Sequence, residues 1–198
     1  MSNMFRKLGK ARALLMTALW LRPRFGGIGL STVMYSPRTL FNPNRVRIGA
    51  HCLVEAQSTF YAITQFGGQS FEPSITIGDR AYINHSFNIT AANRVVIGND
   101  VLIAFNVAIF DNNHGFTNVD MPIKQQPLRV YPRGVEICDG AWIGANVFIC
   151  GNVRIGRNAV VGANSVVKND VPDHAIVAGN PARLLKMISP TMAREPIK

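Results

Sequence analysis

The stretch VEICDGAWIGANVFICGNVRIGRNAVVGANSVV, residues 135–167, decides how the chain folds. An aliphatic residue returns at every sixth position: Ile137, Ile143, Ile149, Ile155, Val161 and Val167. A period of six fits neither the 3.6-residue turn of an amphipathic helix nor the alternation of a simple hairpin series. It fits a short strand followed by a corner. Three such units close one triangular coil, with backbone hydrogen bonds running along the axis between coils about 4.8 Å apart. Four residues after each aliphatic stand Ala141, Val147, Val153, Ala159 and Ser165, small or β-branched as the inside of a narrow prism requires. Asn146, Asn152, Asn158 and Asn164 recur where left-handed backbone is expected, which asparagine tolerates better than most residues.

Working outward, the same period runs through Ile97, Ile103 and Ile109, through Ile77, Ile83 and Ile89, and starts at Ile48 and Val54. The eight-residue step from Ile89 to Ile97 marks a two-residue bulge. Gly49, Gly78, Gly98, Gly144, Gly156 and Gly162 each follow a periodic aliphatic, and are read as sharp corners with positive φ. The series covers most of residues 48–172, or roughly five coils, each covering its neighbour's open edge. The fold class is all-β: a parallel β-helix with short terminal helices. Residues 1–45 form a basic amphipathic helix and linker, 46–182 the repeat, and 183–198 a C-terminal helix or tail.

Regularity stops between Ile109 and Ile137, at NNHGFTNVDMPIKQQPLRVYPRG, residues 112–134. A long excursion from a rigid scaffold is a usual place for chemistry. It carries His114, whose imidazole can take and return a proton near neutrality. Asp111, Asn112 or Asn113 could orient that ring.

Composition narrows the partners. The net charge of +10 favours anionic ligands, but the chain has no recognition helix, RNA-binding signature or zinc spacing, so nucleic acid is not expected. Three cysteines without a CxxC do not make a disulfide framework, and a reducing cytosol is the simplest compartment. Residues 13–21, ALLMTALWL, follow Arg6, Lys7, Lys10 and Arg12 but are too short to span a bilayer and lack a cleavage site. Residues 3–21 read as one helix with Phe5, Leu8, Ala11, Leu15 and Leu19 on a stripe, packed on the domain or another subunit, or laid on an anionic membrane at its inner face.

Four segments carry a resemblance: ITIGDRAYINHSFNIT, VVIGNDVLIAFNVAIFDNNHGF, the run from Val135 to Pro172, and AIVAGNPARLL. Over roughly residues 75–186 the chain resembles the hexapeptide-repeat acyltransferases, above all the maltose, galactoside and nodulation sugar O-acetyltransferases and those of surface polysaccharide synthesis. The resemblance implies a left-handed coil, a homotrimer with sites between subunits, acetyl-CoA as co-substrate without a metal, and a sugar or glycan acceptor. Residue by residue it implies that His114 is the catalytic base and Asn84 binds the acceptor. It also implies that Trp142, Gly144, Ala145, Ala163 and Lys168 line the coenzyme's acyl arm, and that Arg183 and Lys186 meet its phosphates. Four features depart from the family pattern. Gly115 stands where proline often follows the histidine, His85 replaces a commoner apolar or polar residue beside Asn84, Cys138 and Cys150 occupy corners, and the first 45 residues do not match the maltose and galactoside enzymes.

Alternatives remain at this stage. The acceptor could be an amino-sugar nitrogen or an antibiotic hydroxyl. A covalent route could run through Cys138 or Cys150. A zinc enzyme on the same scaffold would need three clustered histidines, and His51, His85, His114 and His174 show no such spacing. The repeat alone would also suit a non-catalytic scaffold.

Overall fold

A computed structural model describes residues 3–189, with side chains from residue 9 onward. The repeat folds as three parallel sheets that the chain visits in turn. Sheet A contains the strands Gly27–Ile28, Val46–Ile48, Ser74–Ile77, Arg94–Ile97, Val135–Ile137 and Val153–Ile155. Sheet B runs through Val33–Met34, Leu53–Val54, Tyr82–Ile83, Leu102–Ile103, Trp142–Ile143, Val160–Val161 and Ala175–Ala178. Sheet C runs through Thr39–Phe41, Thr59–Ala62, Asn88–Ala91, Ala108–Phe110, Phe148–Ile149 and Val166–Val167. Each strand pairs in register with its equivalent one coil away: Ile83 with Ile103, Ile103 with Ile143, Ile143 with Val161.

The six-residue period is the inward face of these strands. Ile75, Ile83, Ile89, Ile103, Ile109, Ile137, Ile143, Ile149 and Ile155 are fully buried, as are the small residues Ala141, Ala159 and Ser165. Each buried isoleucine contributes on the order of 1.5–3 kcal/mol. Ser165 is tolerated inside because its hydroxyl donates to the Gly162 carbonyl at 2.6 Å and accepts from the Gly179 amide at 3.0 Å.

Corners carry ladders of side chains. Between sheets B and C, Asn106 donates to Asn146 at 2.9 Å and Asn146 to Asn164 at 3.0 Å. These asparagines, with φ between +55° and +59°, hold the left-handed backbone expected of them. The glycines do something else. None of Gly49, Gly78, Gly98, Gly144, Gly156 and Gly162 has positive φ. They are glycine because the next coil is too close. A Cβ on Gly144 would stand 2.6 Å from the Ala163 nitrogen, and one on Gly78 2.7 Å from the Gly98 carbonyl carbon.

The coils begin earlier than the sequence reading placed them. Gly27–Ile28, Val33–Met34 and Thr39–Phe41, in the stretch read as linker, already pair with the following coil. Ile28, Met34 and Leu40 keep the six-residue period, but methionine and leucine hid it among the isoleucines. The N-terminal helix, Asn3–Met16, continues into a wider turn, Thr17–Leu21. Its packed side is Ala13, Thr17 and Leu21; Leu15 and Leu19 of the expected stripe are exposed, as is Ala11, and the Phe5 and Leu8 side chains lie outside the described residues. The choice follows from the open end of sheet B. Thr17 Oγ1 accepts the Met34 amide at 2.9 Å, so the threonine face turns inward to satisfy an otherwise unpaired strand edge.

At the other end, the expected helix is a strand in its described part. Arg183–Met187 folds back antiparallel on Ala175–Ala178. The chain reverses at Gly179, where φ is +103°, and Arg183–Met187 pairs backbone groups of Ala175–Ala178 that an open edge of sheet B would leave exposed. Residues 190–198 lie outside the described residues.

Asp173 closes the last corner. Its carboxylate accepts the Arg157 backbone N–H at 3.0 Å and pairs with the guanidinium groups of Arg154 and Arg157, each at 3.1 Å. These partners, the backbone N–H foremost, lower its pKa from 3.8 to about 2. A depressed carboxylate pKa gives stability that is present above the unfolded value and lost as pH falls through the folded one. Asp173→Asn is therefore expected to lower the melting temperature at neutral pH, with the gap to wild type closing between pH 4 and about 2.

Candidate active site

Two excursions leave the corner between sheets C and A. The longer begins as Asn112–His114, which pairs antiparallel with Leu128–Val130, so that His114 faces Leu128 in the ladder. Its base is pinned by Asp111, which is fully buried. The Asp111 carboxylate accepts the amides of Ala92 at 2.7 Å and Asn93 at 2.8 Å and the Asn112 side chain at 3.0 Å. Asn93 Nδ2 in turn donates to the Tyr131 and Pro132 carbonyls, tying down the returning end. Gln126 holds the distal part through the Asn118 and Met121 carbonyls, both at 2.8 Å.

The shorter excursion was not read from the sequence. Gln65–Phe66 and Gln69–Ser70 form a hairpin with Gly67-Gly68 at its tip, inserted between Ala62 and Ser74. The missing periodic aliphatics between Val54 and Ile75, followed by a Gly-Gly pair, were its signal.

Together the excursions wall a cavity of about 380 Å³ over the outer face of sheet C. Tyr61, Phe110 and Phe148 form its floor, Phe66 and Tyr131 its sides, and His114 opens into it. Phe110 and Phe148 stack at 5.2 Å between centroids, and Phe66 meets the His114 ring edge to face at 5.5 Å. None of the three residues expected to orient the imidazole does so. Asp111 is used by backbone amides, Asn112 donates to Asp111, and Asn113 Oδ1 accepts the His114 backbone N–H at 2.9 Å. Among the described residues the His114 ring makes no hydrogen bond.

The residues expected to hold the coenzyme lie elsewhere. Trp142 is half-exposed on the outer face of sheet B, in register with Val160, Ile176 and then Lys186. Gly144, Ala145 and Ala163 stand at the corner between B and C, and Arg183 pairs with Ala178 near the same edge. These form one strip. Asn84 occupies the same corner lower down, its Oδ1 accepting the His85 amide at 2.7 Å. The Ala145 and Ala163 amides make no hydrogen bond among the described residues. Lys168 is separate from the strip: it follows Val166–Val167 on the His114 side, where its charge bears on Cys150.

His114 and the strip are thus at opposite edges of sheet C, separated by a three-residue strand, Ala108–Phe110, or about 10 Å of extended chain. Cys150 lines the His114 cavity, but burial pushes its thiol up; burial also raises the Cys138 thiol. Neither is thereby prepared as a thiolate nucleophile. Among the described residues no group of three or more His, Cys, Asp or Glu is placed to hold a metal ion.

The architecture resembles that of known transferases. Residues 134–169 match the family described as bacterial transferase hexapeptide (six repeats). The chain's homologues include sugar and polysaccharide O-acetyltransferases. The galactoside O-acetyltransferase of Lactococcus lactis is 31% identical over 142 residues, covering 72% of this chain and 63% of that protein. WbbJ of Escherichia coli K12, named for O-acetyl transfer in lipopolysaccharide biosynthesis, is 35% identical over 117 residues, covering 57% and 60%. The chain spans about three-fifths of the length of these curated relatives. AntD, an N-acyltransferase from Bacillus cereus solved with dTDP and 3-hydroxybutyryl-CoA, shares the fold with a TM-score of 0.71 at 19% identity, over 87% of this chain and 88% of that one.

Proposed function

We propose that this protein transfers an acetyl group from acetyl-CoA to a sugar hydroxyl, with His114 as general base. The observation that carries the reading is the position of His114. It opens into an aromatic-walled cavity on a scaffold whose homologues are acetyltransferases. His114 takes the proton of the acceptor hydroxyl, and the oxygen attacks the thioester carbonyl. The carbon–sulfur bond then breaks, and the proton passes to the leaving thiolate, giving the ester and free coenzyme A. The unpaired Ala145 amide suits the developing oxyanion, and Arg183 and Lys186 suit the coenzyme phosphates. Aromatic walls suit the apolar face of a pyranose ring. The name of WbbJ favours a surface polysaccharide or its lipid-linked precursor. Nitrogen transfer, as in AntD, is the second reading. A coenzyme-release assay across sugars, amino sugars and nucleotide sugars separates them: release with neutral sugars supports the first, and release confined to amino sugars supports the second.

A single chain keeps His114 and the coenzyme strip apart, which supports a site completed by a second copy in a homotrimer of left-handed coils. Trp142, Leu102 and Phe105 are exposed apolar residues beside that strip, as a subunit or coenzyme contact requires. Mixing inactive His114→Ala and Asn84→Ala subunits under exchange is expected to restore part of the activity; none returns if each chain works alone.

The N-terminal helix suits an anionic membrane surface, on the cytoplasmic side. Among the described residues no helix is long and apolar enough to cross one. Leu14, Leu15, Leu19, Trp20 and Leu30 are nonetheless exposed beside Lys10, Arg12, Arg22 and Arg24. Leu15→Glu with Leu19→Glu is expected to lower binding to phosphatidylserine vesicles at least tenfold. Unchanged vesicle binding, or a loss of self-association instead, contradicts the membrane assignment.

A further inference from the structure

We propose that the hairpin Gln65–Ser70 is a positioning device for His114, with Gln69 and Phe66 as its working residues. The inference rests on His114 being the base. A base must be held within about half an ångström of its working geometry, and catalytic imidazoles are commonly fixed by a hydrogen bond to the second ring nitrogen. No such bond exists here among the described residues. What touches the imidazole is Phe66, edge to face at 65°.

The backbone beneath the ring is held by the same hairpin. His114 pairs with Leu128 across the excursion's ladder. The outer side of Leu128 would be an open strand edge, but Gln69 occupies it: the Leu128 amide donates to Gln69 Oε1 at 2.7 Å, and Gln69 Nε2 donates to the Leu128 carbonyl at 3.3 Å. One carboxamide thus completes the ladder as a third strand would. Gly67 and Gly68 have φ of +52° and +80°, the paired positive values of a tight two-residue turn. Its root is buried too: Ile63 packs with Ala92 and Leu128, and Tyr61, Phe66, Phe71 and Val130 close around them. The hairpin therefore grips the strand that carries the base through Gln69 and limits the ring's rotation through Phe66. None of Trp142, Gly144, Ala145, Ala163, Arg183 and Lys186, proposed to hold the coenzyme, is among the residues it contacts within the chain.

The test combines kinetics with a readout that does not depend on activity. Gln69→Leu keeps the side chain's bulk and removes both bonds; Phe66→Leu removes the ring. Each is expected to lower kcat about tenfold while the KM for acetyl-CoA stays within about twofold, the size expected when a base loses orientation and not substrate binding. Phe66→Tyr, which keeps a ring against His114, is expected to lose less kcat than Phe66→Leu. In parallel, the His114 ring-proton resonances, assigned by their loss in His114→Ala, are expected to move in Phe66→Leu and to broaden in Gln69→Leu. Wild-type kcat together with unmoved resonances in both variants overturns the proposal. So does a loss shared equally by Phe66→Tyr and matched by a fall in acetyl-CoA binding, which marks general damage. If His114→Ala itself retains full turnover, the base assignment fails. The resonances then decide alone whether the hairpin positions the ring.

Discussion

Replacing His114 with alanine is expected to lower turnover by roughly two to four decades, the usual contribution of a positioned general base. The fold should be indifferent to the change. The His114 side chain is exposed, makes no hydrogen bond among the described residues, and lies outside the isoleucine core. Acetyl-CoA affinity should also survive, because the residues proposed to hold it, Trp142, Arg183 and Lys186, lie on sheet B and not beside His114 in the chain. The pattern to look for is a collapse of kcat with an unchanged melting temperature and unchanged coenzyme binding by calorimetry. A parallel fall in all three would place His114 among structural residues. A rate unaffected by the substitution would leave the cavity without its chemistry.

The second large effect is expected at Asp111. This carboxylate is fully buried and accepts three hydrogen bonds, two of them from the backbone amides of Ala92 and Asn93. Alanine there strands two buried donors and frees both ends of the 112–134 excursion. Hydrogen bonds to charged groups contribute about 1.5–3 kcal/mol each, and a stranded buried donor costs about 1–3 kcal/mol. A loss of about 3–5 kcal/mol follows, with partial overlap between these contributions. Asp111→Asn retains one acceptor oxygen and should recover part of it. Denaturant unfolding measures the size. Limited proteolysis within residues 116–125 measures whether the excursion has come loose while the coils stay folded. Since His114 stands three residues beyond Asp111, activity should fall with the anchor. Full activity in a destabilised Asp111→Ala variant would show that the excursion holds His114 without it.

The coils were legible in the sequence because one requirement repeats at fixed spacing. One inward position in each six is aliphatic over this stretch, and Ile137 to Val167 state that six times without interruption. The glycines were legible as a pattern but not as a cause. Spacing alone cannot distinguish a residue chosen for positive φ from one chosen because the next coil's backbone lies against it, as at Gly144. The first coil was missed because Met34 and Leu40 serve the inward face as well as isoleucine does while breaking its signature. The helix face was misjudged for a related reason. Hydrophobic spacing favoured Leu15 and Leu19, but the unpaired Met34 amide needed Thr17, and a polar requirement of one strand edge outweighed the apolar stripe.

The site divides in the same way. His114 was visible as a titratable residue in a break of the repeat, and the strip proposed for the coenzyme was suggested by motif resemblance. Their separation across sheet C was not, because a linear spacing does not say which of three corners a residue occupies. Phe66 and Gln69 were invisible for another reason. They act through contacts with residues far along the chain, Gln69 reaching Leu128 and Phe66 reaching His114. The carboxylate expected beside the histidine illustrates the converse. Asp111 is close in sequence, but buried backbone amides took both of its oxygens.

The most direct test is a matched assay of wild type and His114→Ala with acetyl-CoA and a panel of sugars, measuring free thiol and acetylated product together. Wild type is expected to release coenzyme A in equal amount to O-acetylated sugar, and the variant neither. Equal rates in the two proteins, or no acetylated sugar from wild type with any hydroxyl acceptor, would contradict His114-dependent acetyl transfer.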